Sequence, residues 1–293
     1  MLPYLVIGVV SGVVYGLAAL GLVLIYKGSR IFNFAQGEFG TVAMYILYFL
    51  VSLQGMNYFL ALIFALIVGA ILGVLTERLV VRPLHSSPRS IGLVGTAGVA
   101  LLLVGLQLLI AGPLPRGVEG ALEGRGPTLA GFTVSRQSLL TIVVLAVVAT
   151  LSALFFKKTP LGLAILANSQ DSTAAKLNGV NVNRISAFTW GLAGVLGALT
   201  GAVLAPDVPF YPGYMTTVML IPAFTAAIVG GMTSLVGAFV AGQIIGLVEA
   251  MGQFFIAKTP ALAKVPEGSA VLIFIVLVVA LLFRPTGLFG KEA

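Results

Sequence analysis

The sequence predicts an all-α protein, a polytopic bundle of about 8–9 transmembrane helices. Of its 293 residues, 59% are hydrophobic and 9% are charged, whereas a soluble domain carries about 25% charged residues. Several apolar runs also reach the roughly 20 residues that a helix needs to cross a bilayer. These observations exclude a soluble enzyme, a disulfide-stabilised secreted module and a disordered protein.

The apolar runs predict up to nine spans. The region 218–256 contains Gly230, Gly231 and Gly237, so it forms either two spans or broken half-helices around a central break. Residues 1–293 are predicted to form one transmembrane domain, without a soluble domain in any loop. The expected spans are 3–26, 34–53, 58–76, 91–111, 137–156, 185–205, 218–235, 236–256 and 270–283.

The sixteen Lys and Arg residues lie singly at the ends of apolar runs, a distribution that sets membrane orientation and forms no nucleic-acid-binding patch. If the polar loop 157–184 is cytoplasmic, the positive-inside rule favours an external N-terminus and a cytoplasmic C-terminus. The cytoplasmic set is then Lys27, Arg30, Arg78, Arg82, Arg89, Lys157, Lys158, Lys176, Arg184, Arg284 and Lys291. The external set is Arg116, Arg125, Arg136, Lys258 and Lys264.

Catalytic and cofactor-binding patterns are absent from the sequence. It has no Cys, one His (His85), and no glycine loop for nucleotide phosphates. We therefore expect no enzyme activity, no cofactor and no metal site. An intramembrane enzyme or a membrane scaffold is the least favoured alternative.

Glycines recur at four-residue spacing within several predicted spans. Gly8, Gly12 and Gly16 share one face of the first span, and Gly242 and Gly246 share a face of the eighth. Because small residues let helices approach closely inside lipid, these faces are predicted to be packing seams.

The second span begins with unusual polarity at Asn33, Gln36 and Glu38. One interpretation is structural, with Asn33 capping the helix, Gln36 completing a capping box and Glu38 near the positive end of the helix dipole. The other is functional, with Gln36 and Glu38 lining a transport pathway or gate near the cytoplasmic mouth. Both remain open at this stage.

Glu249 lies about a dozen residues into the eighth predicted span. An unpaired carboxylate there would cost several kcal/mol in lipid. Glu249 shares a helical face with Gly242, Gly246 and Gln253, so we expect it to point into the bundle and line a polar cavity. An interfacial position near the external surface is the alternative.

The loop 157–184 contains a short helical segment with small side chains. Pro160 suits the first turn of a helix, Ala174 and Ala175 provide the small face beside Leu177, and Gly179 suits the position just after a helix end. Such a helix can fit a groove in a partner protein. The alternative is an amphipathic helix that lies on lipid.

Three segments resemble the branched-chain amino-acid permease family of the LivH type. Thr173–Gly179 is similar to the Glu-Ala-Ala-x-x-x-Gly loop of ABC-importer permeases, which docks into an ATPase subunit. Phe32–Glu38 resembles the pattern Asn-Phe-Ala-His-Gly-Glu, and the turn Gly230–Gly237 also matches. The chain departs from the family at Thr173, where Glu is usual, and at Gln36, where His is common.

The resemblance implies a membrane-spanning permease subunit of an ATP-driven importer for branched-chain or other hydrophobic amino acids. Its implied partners are a homologous LivM-type permease subunit, two cytoplasmic ABC ATPase subunits and an extracytoplasmic substrate-binding protein, in a prokaryotic inner membrane. ATP hydrolysis is expected on the separate ATPases. Two alternatives remain: an ion-coupled secondary transporter, and a related permease for urea or short amides.

Overall fold

The computed structural model describes residues 1–85, 87–122, 124–129, 132–170, 172–259, 267–284 and 286–290. Within these residues the chain forms eleven α-helices and one β-hairpin. Helices α2 and α3 each continue into a π-helical segment, Tyr48–Leu53 and Glu77–Val81 respectively. The elements are α1 (Leu2–Ser29), α2 (Gln36–Leu47), α3 (Tyr58–Thr76), α4 (Arg89–Ala111), β1 (Arg125–Leu129), β2 (Phe132–Ser135), α5 (Arg136–Lys158), α6 (Pro160–Gln170), α7 (Ser172–Leu177), α8 (Val182–Leu204), α9 (Tyr214–Gly230), α10 (Leu235–Lys258) and α11 (Gly268–Phe283).

Seven of the described helices are long and apolar enough to cross a bilayer, counting α2 and α3 with their π-helical continuations. The shorter apolar helices α9 and α11 accompany them. This architecture confirms the prediction of an all-α polytopic bundle. The short hairpin of β1 and β2 between α4 and α5 was not predicted.

Helices α1 and α8 form the centre of the bundle. Val14, Leu17, Trp190 and Ala198 are fully buried. The outer helices instead expose large apolar side chains, such as Leu101 at 74% on α4. Since a membrane solvates apolar side chains, these exposed faces are the surface expected to meet lipid.

The predicted glycine seam joins α1 to α10, which cross at backbone contact. A Cβ atom added at Gly12 would lie 2.8 Å from Gln243 Cα, and one at Gly8 would lie 3.0 Å from the carbonyl oxygen of Gly246. Added Cβ atoms at Gly242 and Gly246 would collide with the backbone of Gly16 and Gly12. Only glycine permits this separation, so the seam fixes the position of α10 against α1.

The region 218–256 forms two separate helices, and the central break considered from the sequence is a turn. Helix α9 ends at Gly230, and Gly231 adopts a φ of 93°, which favours glycine. Ser234 then caps α10, since its Oγ accepts a hydrogen bond from the backbone N–H of Gly237 at 3.0 Å. Lys27 Nζ donates to the carbonyl oxygen of Thr233 at 2.7 Å, so this turn lies beside the C-terminal end of α1.

Candidate functional site

After α1 the chain turns back into the bundle before α2 begins. Arg30 ends α1 with a left-handed φ of 55°, and the following Ile31, Asn33 and Ala35 are buried. The expected helix cap at Asn33 is wrong, because the N-cap residue is Ala35. Asn33 Oδ1 instead accepts from the Ala35 N–H at 3.0 Å, since residues 33–35 form a turn that precedes the helix.

Gln36 joins this turn to the centre of the bundle. Its Oε1 accepts from Asn33 Nδ2 at 3.3 Å, and its Nε2 donates to the carbonyl oxygen of Ala193 on α8 at 2.9 Å. Gly21 of α1 and Gly197 of α8 leave the space that the Gln36 side chain occupies. Asn33 and Gln36, which lie close together in the sequence motif, are therefore hydrogen-bonded to each other inside the bundle, and Gln36 is also bonded to α8.

Glu38 is fully buried and contacts residues from other helices. Gln107 Nε2 of α4 donates to Glu38 Oε2 at 2.8 Å, and Gln107 Oε1 accepts from the backbone N–H of Gly213 at 3.1 Å. Thr41, one turn after Glu38, accepts from the backbone N–H of Met215 at 3.1 Å. Glu38 thus lies where the N-terminal ends of α2 and α9 meet, and both helix dipoles favour a negative charge there.

Glu38 lies far along α4 from the end that is predicted to be cytoplasmic, and its expected place near the cytoplasmic mouth stays a prediction. Gln107 lies four residues before α4 ends at Ala111, whereas α4 begins at Arg89 on the predicted cytoplasmic side. Residues 30–35 carry the chain inward before α2 starts, so Glu38 reaches the far half of α4. Sequence reasoning missed Gln107, and an isolated polar residue within an apolar span was the only signal for it.

Glu249 contacts α1. The Tyr15 hydroxyl donates to Glu249 Oε2 at 2.5 Å. Tyr15 is 4% exposed, whereas Glu249 is half-buried.

A small cavity of about 10 Å³ lies between α1, α2, α8 and α9, too little space for more than about one water molecule. Gln36, Met215 and Met219 form part of its wall. Phe224, next to the wall residue Ala223, stacks between two further rings: its ring centroid lies 5.5 Å from that of Phe32 and 5.4 Å from that of Phe34. The space beside the Asn33–Glu38 motif is therefore closed in this structure.

The predicted docking segment consists of α6 and α7. Pro160 opens α6, as expected, and Thr159 Oγ1 accepts from the N–H of Gly162 at 3.0 Å. Gly179 has a φ of 81°, and its N–H donates to the carbonyl oxygen of Lys176 at 3.0 Å, which ends α7.

The small-residue face of α7 is divided between the bundle and solvent. Ala175 is 4% exposed, Ala174 is exposed and Leu177 is 85% exposed. Space around Gly179 is open within 4 Å. Thr173 lies within α7, but its side chain is outside the described part of the structure, as is all of Asp171.

Comparisons with known proteins agree with this architecture. The family model described as "Branched-chain amino acid transport system / permease component" matches residues 4–281. The chain is 28% identical to the high-affinity branched-chain amino acid transport permease protein LivH of Escherichia coli K12, over 97% of this chain and 94% of that one. It is 29% identical to BraD of Pseudomonas aeruginosa, over 99% and 96% respectively.

A solved structure, PsaBC from Streptococcus pneumoniae in complex with Fab, has a similar fold. Its TM-score is 0.50 at 17% sequence identity, over 97% of this chain and 91% of that chain. The apolar helices of spanning length and the matching family model define a multi-pass membrane transport protein. The chain belongs to the permease-component family of branched-chain amino acid transport systems, and its relatives are transport permeases rather than enzymes.

Proposed function

We propose that this chain is the membrane-spanning subunit of an ATP-driven importer in a prokaryotic inner membrane. It translocates branched-chain or other hydrophobic amino acids that a substrate-binding protein delivers from outside. A homologous LivM-type permease subunit completes the membrane part, and two cytoplasmic ABC ATPase subunits hydrolyse ATP. The family membership and the relatives' transport names support this proposal.

The observation that carries the proposal is the exposed tip of α7. Leu177 is 85% exposed, beside the exposed Ala174, in a segment with open space around Gly179. Leu177 offers an apolar contact beside small side chains, a combination that a groove in a partner protein can receive. A groove in an ATPase subunit is the proposed partner, and closure of the ATPases would then move α7 against the bundle.

The translocation pathway is proposed to pass the polar groups on α1, α2 and α10. Gln36 lines the small cavity and Asn33 is hydrogen-bonded to Gln36, while Glu38 follows the wall residue Gly37 in the chain. Glu249 is a half-buried carboxylate in the middle of a long helix, and lipid is a poor solvent for it. We propose that the part of α10 that carries Glu249 faces either the translocation pathway or the LivM-type subunit.

One oxygen of each carboxylate is hydrogen-bonded within the bundle, which disfavours ion-coupled transport, whereas Glu38 Oε1 has no partner among the described residues. A carboxylate that carries protons or sodium must exchange ligands during each cycle. Glu38 instead bonds to Gln107, which is itself anchored to Gly213, and Glu249 bonds to Tyr15. ATP coupling through α7 requires no such exchange.

The test is transport by the purified complex reconstituted in liposomes. We expect uptake of labelled leucine that requires both ATP and the binding protein, with competition by valine and isoleucine but not by urea. Uptake driven by a proton or sodium gradient without ATP would refute the proposal, and selective uptake of urea or acetamide would refute the substrate class.

A variant pair tests the α7 contact separately. Leu177→Asp places a charge on the proposed apolar contact and should lower ATP-dependent uptake and co-purification of the ATPases. Leu114→Asp makes the same change at a residue that is 64% exposed and lies just after the C-terminal end of α4. Equal effects of the two variants would contradict docking at α7.

A further inference from the structure

A cavity of about 760 Å³ opens where α1 and the π-helical end of α3 finish and α4 and α8 begin. This volume lies within the range of small-molecule sites. The ends of α6 and α7 close one side of it. Five lysine and arginine side chains lie on its described wall: Lys27, Arg30, Arg82, Arg89 and Lys176.

Negative charge on the wall is limited to one described carboxylate, Glu77, which is already paired. Arg82 Nη2 lies 2.7 Å from Glu77 Oε2, and Arg82 Nε lies 3.1 Å from Glu77 Oε1. This bidentate pair neutralises both groups. Lys27, Arg89 and Lys176 give the described wall an excess of positive charge, which attracts an anion.

A second observation comes from Asn168 of α6. Its side chain lies on the cavity wall and is 5% exposed, yet its Oδ1 has no hydrogen-bond partner among the residues that the structure describes. A buried amide oxygen without a partner is unfavourable, so such groups commonly mark a ligand or water position. This oxygen can accept from a hydroxyl group of the ligand.

We propose that this cavity binds a phosphate group that carries or adjoins a hydroxyl. Arg89 and Lys176 bind the phosphate oxygens, Lys27 adds charge from α1, and Asn168 accepts from the hydroxyl. The phosphate belongs either to the head group of an anionic phospholipid, since the cavity lies at the helix ends, or to a soluble phosphate. Because Lys176 belongs to α7, the bound anion ties α7 to α1 and α4.

Thermal unfolding of the purified permease, together with the subunits that co-purify, tests the site. One arm uses nanodiscs of phosphatidylcholine with increasing phosphatidylglycerol. The other uses phosphatidylcholine alone with inorganic phosphate against chloride at equal ionic strength. We expect one or both anions to raise the unfolding midpoint. A response only to the lipid assigns the head group, and a response only to inorganic phosphate assigns the soluble source.

The variant Arg89→Gln/Lys176→Gln should weaken the response on the order of tenfold in apparent affinity, because two cations are lost. Lys157→Gln/Lys158→Gln makes the same change in net charge at two exposed residues of α5 outside the cavity, and should respond as the wild type does. Equal responses in the two double variants, or no response in the wild type, would overturn the proposal.

Asn168→Leu separates a ligand site from a structural one. Without added anion this variant should be about as stable as the wild type, because the Oδ1 that it removes has no partner among the described residues. Its stabilisation by the anion should nevertheless be weaker. An unchanged anion response in Asn168→Leu would exclude the assigned contact. These measurements need no ATP, so they are independent of whether the proposed import function holds.

Discussion

The hydroxyl of Tyr15 donates a 2.5 Å hydrogen bond to Glu249 Oε2 and joins the middle of α1 to the middle of α10. Tyr15 is buried, whereas Glu249 is half-buried. One carboxylate oxygen is therefore satisfied from within the bundle. The outward part of the group needs a polar surrounding that lipid does not provide.

Glu249→Gln separates the structural from the transport role of this side chain. The amide oxygen can still accept from Tyr15, so we expect normal expression and an unfolding midpoint close to that of the wild type. Loss of the charge should lower ATP-dependent uptake several-fold if Glu249 faces the pathway. The loss is measured by comparing ATP-dependent uptake of Glu249→Gln with that of the wild type, after equal unfolding midpoints have been shown.

Glu249→Leu provides the comparison. It removes the carboxylate that accepts from the buried Tyr15 hydroxyl, at a cost of about 1–3 kcal/mol, so it should lower both stability and uptake. Wild-type uptake in Glu249→Gln would make Glu249 a structural partner of Tyr15 only.

Gly246→Ala tests the seam between α1 and α10. The added Cβ would collide with the backbone of Gly12, which cannot move as a side chain can. We expect a loss of about 1–3 kcal/mol from overpacking, seen as a lower unfolding midpoint in detergent. Gly98→Ala on α4 is the matched control, because a Cβ there meets nothing within 4 Å. Equal midpoints for the two variants would refute a seam fixed by backbone contact.

The fold was predictable because apolar run length and glycine spacing act locally. The apolar runs predicted the bounds of the long helices to within a few residues. The four-residue spacing of Gly8, Gly12 and Gly16 predicted the packing face of α1, which meets α10. The break at Gly230 and Gly231 was ambiguous, because the same glycines suit a turn between helices and an unwound helix.

The site was less predictable because its contacts join distant parts of the chain. Glu38 and Gln107 are 69 residues apart, and nothing in either segment specifies the other. The depth of Glu38 depends on the inward path of residues 30–35. The periodicity of neighbouring helices carries no information about that path. The pathway role of Asn33, Gln36 and Glu38 stays a prediction.

Gln107→Leu tests the buried link between α2, α4 and α9. Removing the amide leaves Glu38 Oε2 and the Gly213 N–H without their partners. Because one of these groups is a carboxylate, we expect a loss of about 2–3 kcal/mol, measured as a lower unfolding midpoint. Gln54→Leu makes the same change at an exposed residue after α2 and should have little effect. If both variants unfold like the wild type, the Gln107 contacts do not stabilise the bundle.

The last prediction concerns Gly179, at the end of α7. Its φ of 81° disfavours a residue with a Cβ, but open space surrounds it, so a substitution strains the turn without a collision. Asn tolerates this conformation better than most residues. We therefore expect both Gly179→Asn and Gly179→Arg to insert into the membrane at wild-type levels.

The two variants should differ in coupling. Gly179→Arg adds a long cation where a partner groove is proposed to contact α7. It should lower ATP-dependent uptake roughly tenfold or more, which corresponds to about 1.4 kcal/mol of lost contact. Gly179→Asn should keep most of the activity. Both variants are compared by their uptake and by the amount of ATPase that co-purifies, measured on equal amounts of inserted protein. Wild-type values for Gly179→Arg would show that this part of α7 is not the contact that couples ATP hydrolysis to transport.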